Sequence, residues 1–400
     1  MNNIAILNTC ICGSTGKIAV GLFNYLQNNG YNVYFCYGRE NGPIQTNYYH
    51  IGSKLTTYLH AGLTRITGLQ GFGSVMSTIK LILFLESKKI DLLYIISPHG
   101  YYLNEKIIYN FASKKKLSIV YVMIDEYAFR GKCGYSDGCR SFLTGCHKCP
   151  KLKESPKSLF NGAPYIYKMK AKAYSSIDSI VFVGPEYTVK QAAESPLLKR
   201  KKCVVLDEAI NTSFFSPRDT SKLKQNLKIA DDKIVLVCVA PFSNERKGCI
   251  FFLELAKRFK ADERFVFIQV GFNVDPRSVD IPSNYIPIGF LSDQNLLAQY
   301  YSLADLFVFP SLLDTMPNTC LEALSCGSPL LLFNVSGMPY IADETVAVFV
   351  EAKNVDQMVD AVKRIQKKTD KQIRICREYA LKRYNGERYN QKLVEIAKNT

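Results

Sequence analysis

Short apolar runs alternate with amphipathic helical segments along almost the whole chain, and this alternation constrains the fold more than any other feature. Apolar strands separated by helices are typical of a parallel sheet with both faces covered. The first half is therefore predicted to be a doubly wound α/β domain. Its predicted strands are 4–8, 32–37, 91–96 and 118–124, and its predicted helices are 17–28, 79–88 and 104–115.

The second half restarts the same pattern, and a length of 400 residues also favours two domains. We predict domains at 1–215 and 216–370, hinged near 216–227. Segment 371–400 is predicted to be helical, either as a plain amphipathic end or as helices that cross back to the first domain. Because open parallel sheets bind ligands at the carboxyl ends of their strands, an interdomain cleft is the expected site. The predicted strands here are 233–239, 264–270, 285–288, 305–309, 329–333 and 347–350.

The net charge of +16 lies mostly in the first half. Residues 1–215 contain 26 Lys and Arg against 13 Asp and Glu, whereas 216–400 contain 25 against 22. A basic surface favours phosphorylated substrates, anionic lipid or nucleic acid. No DNA- or RNA-binding signature is present, so we expect no nucleic-acid partner. The Lys clusters at 114–116 and 199–202 are either solvated turns or a peripheral contact with an anionic membrane surface.

The sequence also predicts the compartment. No apolar run approaches the roughly 20 residues that cross a bilayer. The chain enters its first strand without a signal-peptide pattern. Thirteen scattered cysteines argue against a disulfide framework and for a reducing cytosol. We therefore expect a cytoplasmic protein, peripheral at most to the inner face of the cytoplasmic membrane.

Segment 306–333 places two carboxylates in a strand–loop–helix–strand pattern. The loop after the first strand carries Asp314, and the following helix carries Glu322 about two turns later, before Gly327 ends it. Carboxylates at the mouth of a parallel strand accept hydrogen bonds from hydroxyls, and amides at a helix start favour an anion. A nucleotide sugar carries hydroxyls beside phosphates, so this segment predicts a nucleotide-sugar site.

Two other loops follow strands and favour phosphate binding. Loop 242–248 carries the adjacent cations Arg246 and Lys247. Segment 10–17 joins the first strand to the first helix, and its spacing differs from that of a P-loop. Its glycines permit close approach of the backbone, and the helix start would face a diphosphate. A simple tight turn is the alternative. The residues predicted for this contact are Gly13, Ser14, Thr15 and Gly16.

These motifs resemble those of the family-4 glycosyltransferases of GT-B fold, and the resemblance covers nearly the whole chain. The family's Glu-x7-Glu motif stands here as Asp314-x7-Glu322. The resemblance implies that Glu322 binds the ribose hydroxyls of the donor and that Asp314 binds the transferred sugar. It also implies that Arg246 and Lys247 hold the diphosphate, on which negative charge grows as the glycosidic bond breaks.

The loop between the two acids departs from the family pattern. Thr315-Met316-Pro317 stands where relatives have Gly-Phe-Gly, and Pro317 has no N–H to offer to the donor. The side chain of Asn318 is expected to donate instead. The other expected donor contacts are Gly289 and Phe290, in the loop that selects the base, together with Met316 and Thr319.

The first domain carries the loops expected on the acceptor side. Segment 97–104 resembles the His-Gly-x-Tyr-Leu-Asn stretch of one subgroup and places His99 near the sugar. Segment 65–74 resembles the same subgroup and is expected to form a mobile acceptor loop.

A second acceptor-side segment carries Asp125 and Glu126, either of which is expected to orient an acceptor hydroxyl. Ile124 stands where relatives commonly have His, so the role of that His does not transfer to this chain. Ordinary loop polarity is the alternative interpretation of these residues and of His99.

Four cysteines fall within one 17-residue loop, and in a reducing compartment this density predicts a closed structural zinc site. Free thiols, or a redox pair formed by Cys146 and Cys149, are the alternatives. The spacing also resembles a subgroup of bacterial polysaccharide glycosyltransferases with a Cys-rich loop. The predicted ligands are Cys133, Cys139, Cys146 and Cys149.

The combined prediction is a GT-B α/β chain that uses a UDP- or GDP-sugar, retains the anomeric configuration and needs no cofactor for its chemistry. The acceptor is expected to be a saccharide, lipid-linked, in bacterial surface polysaccharide synthesis. Two other classes stay open. One is a non-catalytic scaffold that binds a nucleotide sugar, motivated by Ile124 and Pro317. The other is a zinc-bearing nucleic-acid binder, motivated by the charge and the cysteines.

Overall fold

A computed structural model describes residues 2–39 and 46–400, which divide into two units. Unit 1 comprises the chain up to Glu208 together with Glu387–Thr400, and unit 2 comprises Ala209–Gly386. The chain leaves unit 1 earlier than the predicted boundary at 215. Residues 371–386 belong to unit 2, and only the segment after them returns to unit 1.

Unit 1 is built on a seven-stranded sheet with the order β3-β2-β1-β4-β5-β6-β7, in which every pairing is parallel. All residues of β4 and β6 are buried, as expected for strands covered on both faces. The predicted doubly wound parallel sheet is confirmed. Its strands are β1 Asn3–Asn8, β2 Asn32–Tyr37, β3 Tyr48–His50, β4 Leu92–Ile95, β5 Ser118–Val122, β6 Ile180–Gly184 and β7 Lys202–Val205.

In the described part of unit 1, six helices connect these strands, and the first begins earlier than the sequence predicts. Helix α1 starts at Gly13, so the segment predicted as a loop forms its first turn. A Cβ on Gly16 would lie 2.5 Å from the carbonyl carbon of Ile11, so only glycine permits this close turn. The helices are α1 Gly13–Asn28, α2 Lys54–Thr67, α3 Val75–Ser87, α4 Glu105–Lys115, α5 Ala163–Ser176 and α6 Glu186–Glu194.

Segment 65–74, predicted as a mobile acceptor loop, forms the end of α2 and the turn into α3 around a buried histidine. His60 is 2% exposed, and its Nε2 accepts hydrogen bonds from the backbone N–H groups of Gly71 and Gly73 at 3.3 and 3.2 Å. Its Nδ1 lies 3.0 Å from Ser74 Oγ. Burial lowers the pKa of His60 to about 4, so the ring is neutral at pH 7.

Unit 2 is built on a six-stranded parallel sheet with the order β10-β9-β8-β11-β12-β13. Val237 on β8 lies opposite Ile268 on β9 and Phe307 on β11, so β8 is central and buried along its whole length. The second predicted doubly wound sheet is therefore also confirmed. Its strands are β8 Ile234–Val239, β9 Phe265–Val270, β10 Tyr285–Ile288, β11 Leu306–Phe309, β12 Leu330–Phe333 and β13 Ala347–Val350.

Seven helices belong to unit 2, and an eighth carries the chain back to unit 1. In α14, Gly386–Lys398, the side chains of Tyr389, Leu393 and Val394 are buried. Tyr94 on β4 donates a hydrogen bond to the carbonyl of Leu393 at 3.2 Å. The helices of unit 2 are α7 Ser221–Asn226, α8 Cys249–Arg258, α9 Gln294–Leu303, α10 Asn318–Ser325, α11 Met338–Ile341, α12 Val355–Lys363 and α13 Asp370–Arg383.

Within the parts of the chain that the structure describes, no helix is both long and apolar enough to span a lipid bilayer.

We expect unit 1 to lose stability as the pH falls from 6.5 toward 4. The folded pKa of His60, about 4, lies below its unfolded value near 6.5, so the unfolded chain binds the proton more tightly in this window. The expected slope is about 1.4 kcal/mol per pH unit. His60→Asn should flatten this slope in urea unfolding followed across the window. The exposed His147→Asn serves as the control, and an unchanged slope in His60→Asn would contradict the assignment.

Leu393→Ala should destabilise unit 1 by about 2–5 kcal/mol, because it leaves a cavity where a fully buried side chain packed. Denaturant unfolding of the full chain measures the change. The exposed neighbour Lys392→Ala should change stability by no more than about 0.5 kcal/mol. Equal effects of the two substitutions would show that α14 does not pack on unit 1.

Candidate functional site

The strand order of unit 2 reverses at one point, between β8 and β11. Strand β8 is followed along the chain by β9 on one side and has β11 on its other side, so the loops after β8 and β11 leave the sheet side by side. This is where open parallel sheets bind ligands. The two loops are bonded to each other, because the carbonyl of Arg246 accepts from Leu312 N at 2.9 Å and from Ser311 Oγ at 3.1 Å.

Three donors converge on one carboxylate oxygen at this point. Asp314 Oδ2 lies 2.7 Å from Lys247 Nζ and 3.1 Å from Arg246 Nη1, and it accepts from Ser311 Oγ at 3.0 Å. The guanidinium of Arg246 also donates to the carbonyl of Leu313. The Asp314 side chain is 8% exposed, whereas those of Arg246 and Lys247 remain 27% and 18% exposed. The cluster therefore holds two cations in fixed positions and leaves part of each accessible.

Two glycines allow these loops to approach so closely. Gly248 has φ +66°, and a Cβ there would lie 1.9 Å from the carbonyl oxygen of Pro310. A Cβ on Gly337 would lie 1.8 Å from the carbonyl oxygen of Thr315, and Gly337 N donates to the Asp314 carbonyl at 2.9 Å. Any other residue would push the loops apart, so the position of the Asp314 backbone is fixed from both sides.

The second predicted carboxylate, Glu322, lies in α10 and is 3% exposed. Tyr301 on α9 donates its hydroxyl to Glu322 Oε2 at 2.8 Å. Burial, and then the adjacent Glu322 carboxylate, raise the pKa of Tyr301 well above its usual value, so the phenol stays protonated as a donor. The hydroxyl therefore fixes the orientation of a carboxylate at the edge of the candidate site.

The other predicted donor-side residues occupy different environments. Met316 is 4% exposed and packs in the core of unit 2, so its side chain points inward. Asn318 and Thr319 form the first turn of α10, directly after Pro317 at the N-cap position. Gly289 and Phe290 follow β10 at the carboxyl edge of the sheet, with β9 between them and β8. Phe290 is 86% exposed.

Unit 1 has its own reversal of strand order, between β1 and β4. The loops after these strands are also bonded, because Thr9 Oγ1 donates to the Ser97 carbonyl at 3.0 Å and contacts the His99 carbonyl. The Gly13–Gly16 turn that starts α1 follows the first of these loops. Asn8 Nδ2 lies 3.5 Å from Thr15 Oγ1 within it. The structure thus places Gly13, Ser14, Thr15, Gly16 and His99 at one edge of the sheet.

His99 and Asp125 are brought together by the ends of β4 and β5. His99 Nε2 lies 3.2 Å from Asp125 Oδ2, and Asp125 Oδ1 accepts from Tyr127 N at 2.9 Å. Burial of the ring disfavours its charge, but the Asp125 carboxylate outweighs this effect and raises the pKa of His99 above its usual value. This pair can hold a proton at Nε2 or accept a hydrogen bond from a hydroxyl. Ile124 directly precedes Asp125 in the chain, at the position where the family resemblance leads us to expect His.

Glu126, the alternative to Asp125, faces away from this edge. Its Oε2 lies 2.8 Å from Arg130 Nε, and Ser136 Oγ donates to its Oε1 at 3.2 Å. Both side chains of the Glu126–Arg130 pair are almost fully buried. Glu126 therefore anchors the loop after β5, and Asp125 is the acid of the two that contacts His99.

A buried cluster around Lys170, next to the turn that carries Asp125, was not predicted from the sequence. Lys170 on α5 is fully buried and donates to the carbonyls of Tyr127 and Arg130 at 2.5 and 3.1 Å. Burial, opposed by the Glu105 carboxylate, lowers the pKa of Lys170 to about 8. The Tyr127 hydroxyl donates to Glu105. These residues fix the turn that holds Asp125. The sequence gives no signal for this, because Lys170 stands among exposed lysines and Glu105 resembles an ordinary acid in a first helical turn.

The predicted zinc site is not supported. Within residues 2–39 and 46–400, no group of three or more His, Cys, Asp or Glu side chains is placed to hold a metal ion. Cys146 adopts φ +59° and packs with the apolar core of unit 1. The four cysteines Cys133, Cys139, Cys146 and Cys149 are free thiols in the structure. The Cys-rich subgroup resemblance has no support from the fold either.

Residues 233–368 match the model of the family described as glycosyl transferases group 1. This segment contains the loops after β8 and β11 and the helix with Glu322. Along most of the chain, the sequence is 22% identical to the putative colanic acid biosynthesis glycosyl transferase WcaC of Escherichia coli K12. That alignment covers 88% of this chain and 87% of the relative.

Two solved structures share the fold over the whole chain. Sucrose-phosphate synthase from Thermosynechococcus elongatus superposes with a TM-score of 0.70 at 13% identity, covering 100% of this chain and 99% of that one. The Anabaena protein HepE in complex with UDP superposes with a TM-score of 0.67 at 13% identity, covering 100% of both chains.

Tyr301→Phe should destabilise unit 2 by about 1.5–3 kcal/mol, because it removes a hydrogen bond to a buried carboxylate. Urea unfolding of the full chain measures this change. Tyr300→Phe, at the neighbouring buried position of the same helix, is the matched control and should cost less. If both substitutions cost the same, the Tyr301–Glu322 bond does not stabilise the site.

Proposed function

We propose that this chain, which has the GT-B fold, is a glycosyltransferase that moves a sugar from a UDP- or GDP-sugar to a saccharide acceptor with retention of configuration. The observation that carries the proposal is the convergence of Arg246 and Lys247 on Asp314 at the strand-order reversal of unit 2. The chain shares its fold with an Anabaena protein that is solved in complex with UDP, and this supports a nucleotide-sugar donor.

In this proposal, unit 2 binds the donor. Arg246 and Lys247 take the diphosphate, Asp314 accepts a hydrogen bond from a hydroxyl of the transferred sugar, and Glu322 accepts from the ribose. The amides at the start of α10 and the side chains of Asn318 and Thr319 add donors near the phosphates. The exposed ring of Phe290, beside Gly289, is proposed to pack on the base.

The two cations are arranged to act on the leaving group. As the bond between the anomeric carbon and the diphosphate oxygen breaks, negative charge accumulates on the diphosphate. Arg246 and Lys247 are already held by Asp314 and the Leu313 carbonyl, so little reorganisation is needed when this charge develops. Fixed cations at this position stabilise the transition state more than the ground state. We therefore propose that the chemistry does not depend on a metal ion.

The family resemblance supports retention by front-face substitution. The acceptor hydroxyl oxygen attacks the anomeric carbon from the face that the diphosphate leaves. Its proton passes to a phosphate oxygen of the leaving group, so the reaction requires no separate strong base. The products are the glycosylated acceptor and a nucleoside diphosphate.

Unit 1 is proposed to bind the acceptor through His99 and Asp125. The hydrogen bond from Tyr127 N and the buried Glu105–Tyr127–Lys170 group keep the Asp125 carboxylate in one orientation. A hydroxyl of the saccharide acceptor can therefore donate a hydrogen bond to a carboxylate oxygen that is held in a fixed position. The turn Gly13–Gly16, with the start of α1, is proposed to face the phosphate groups.

The name of one relative supports the proposed acceptor class. The E. coli relative along most of the chain carries the name of a putative colanic acid biosynthesis enzyme. We propose that this chain also acts in the synthesis of a bacterial surface polysaccharide on a lipid-linked saccharide, as a cytoplasmic protein at the inner membrane surface. The excess of basic residues in 1–215 supports that location.

A non-catalytic nucleotide-sugar scaffold is the second candidate, because two residues depart from the family pattern. Pro317 removes an amide at the donor, and Ile124 replaces a His beside Asp125. Such a scaffold would bind the donor and leave it intact. Release of UDP or GDP in the presence of acceptor separates it from an enzyme.

Glu322→Gln should weaken donor binding, because the neutral amide lacks the negative charge that strengthens the hydrogen bonds from the ribose hydroxyls. A thermal-shift panel of UDP- and GDP-sugars measures binding. The folded protein should gain about 2.7 kcal/mol at a hundredfold excess over Kd. The exposed Glu254→Gln is the control and should keep the full shift. Equal thermal shifts in both variants would show that Glu322 is not part of the donor site.

Arg246→Ala should lower kcat by about 10²–10³, equivalent to about 2.7–4 kcal/mol of transition-state stabilisation. The chemical step is measured by release of the nucleoside diphosphate at saturating donor. Arg258→Ala, an exposed arginine of the same unit, is the control. A variant at Arg246 with unchanged kcat would exclude the proposed role in leaving-group stabilisation.

A further inference from the structure

Helices α2 and α3 of unit 1 expose large apolar side chains. The buried side chains of α2, His60 and Thr64, are both polar, and α3 buries Ser77 and Thr78 beside Leu81 and Leu85. The outward positions are large and apolar, opposite to the arrangement that water favours. We name these outward residues the α2–α3 apolar face; its main members are Leu55, Leu59, Leu63, Met76, Ile79 and Leu83.

The face is continuous across the two helices. Leu59 and Leu63 on α2 line an open groove of about 310 Å³ together with Val75 and Met76 on α3. Leu59 and Met76 are each 66% exposed. Along α2 the apolar positions recur every three or four residues, so they share one side of the helix. Isolated exposed apolar residues need no explanation, but a continuous patch of this kind marks an interaction surface.

A third segment extends the face. Leu159 N donates to the Arg65 carbonyl at 2.8 Å, and Phe160 N donates to the Ile66 carbonyl at 3.0 Å. These bonds hold 159–160 against the end of α2. The side chains of Leu159 and Phe160 are 75% and 67% exposed. Three elements, namely α2, α3 and segment 159–160, therefore present apolar side chains that the described part of unit 1 leaves exposed.

Basic residues accompany the apolar ones. Lys54 and Arg65 lie on α2, Lys80 lies on α3, and Lys88 and Lys89 follow it. The acidic residue of α3 is Glu86, and its carboxylate is 2.8 Å from Lys115 of the 114–116 cluster. Apolar side chains next to lysines and arginines match the interface of an anionic bilayer, where acyl chains lie beneath negative headgroups.

This charge argues against a second copy of the chain as the occupant. A twofold interface places the same patch on both subunits, so the cations of one face would meet those of the other. Such like-charge contacts are unfavourable. With 14 and 13 residues, α2 and α3 are also too short to cross a bilayer and would lie in its surface.

We propose that the α2–α3 apolar face is the surface by which unit 1 docks on an anionic lipid bilayer. The apolar side chains enter the boundary between headgroups and acyl chains, and the flanking cations contact lipid phosphates. The purpose of this docking rests on the proposed function, since a lipid-linked acceptor lies in that bilayer. Docking itself requires no transfer reaction, so it can be tested separately.

The test is co-sedimentation of the purified full chain with vesicles. One set contains phosphatidylcholine alone, and the other contains phosphatidylcholine mixed with phosphatidylglycerol. We expect binding to the anionic set that weakens at high salt. The double substitution Leu59→Ser with Met76→Ser should reduce binding at least about tenfold, and Lys80→Glu should reduce binding to the anionic vesicles alone. Val205→Ser, at a 51% exposed position of β7, is the matched control.

The outcomes separate docking from the proposed function. Donor-induced thermal shifts in the same variants report the fold and the donor site, and they should match those of the unaltered chain. Docking is overturned if the unaltered chain stays in solution with anionic vesicles, or if the double variant sediments as well as Val205→Ser. Dimerisation that disappears in the double variant, without vesicle binding, would assign the face to a second copy instead. None of these results changes the expected nucleotide-sugar chemistry.

Discussion

The candidate sites of both units depend on one constraint: parallel strands all end at the same edge, and the order of strands reverses once in each sheet. At the reversal, the loops after two neighbouring strands leave the sheet side by side. In unit 2 these loops bring Arg246 and Lys247 to Asp314. In unit 1 the reversal lies between β1 and β4, and the end of the next strand, β5, brings Asp125 to His99. Residues far apart in sequence thus meet because of topology, with glycines at the closest approaches.

The sequence predicted the fold and the members of these clusters better than their local geometry. Short and mostly apolar runs predict strands, and the bounds of β2, β10 and β13 were predicted correctly. The acids and bases were identified because each follows such a strand. The contacts of Ser311 and Tyr301 were not predictable, because a serine in a loop and a tyrosine on a helix carry no pattern that names a partner.

The failures have physical causes as well. Helix α2 was not predicted, because its apolar side faces outward and its buried side carries His60 and Thr64. The zinc prediction relied on cysteine density, and density alone does not set the geometry that a metal site requires; no such group is found among the described residues. Lys170 was overlooked because a lysine is normally solvated, and only three-dimensional packing surrounds its ammonium group with carbonyls.

The return of α14 to unit 1 affects how the chain matures during synthesis. Unit 2 is encoded by one uninterrupted stretch, Ala209–Gly386, so all of its core has emerged from the ribosome before α14 appears. Unit 1 is translated first but lacks Leu393 and Tyr389 until the end. While unit 2 is being translated, the sheet of unit 1 therefore has one face incompletely covered. Vectorial translation thus reverses the order in which the two cores can be completed.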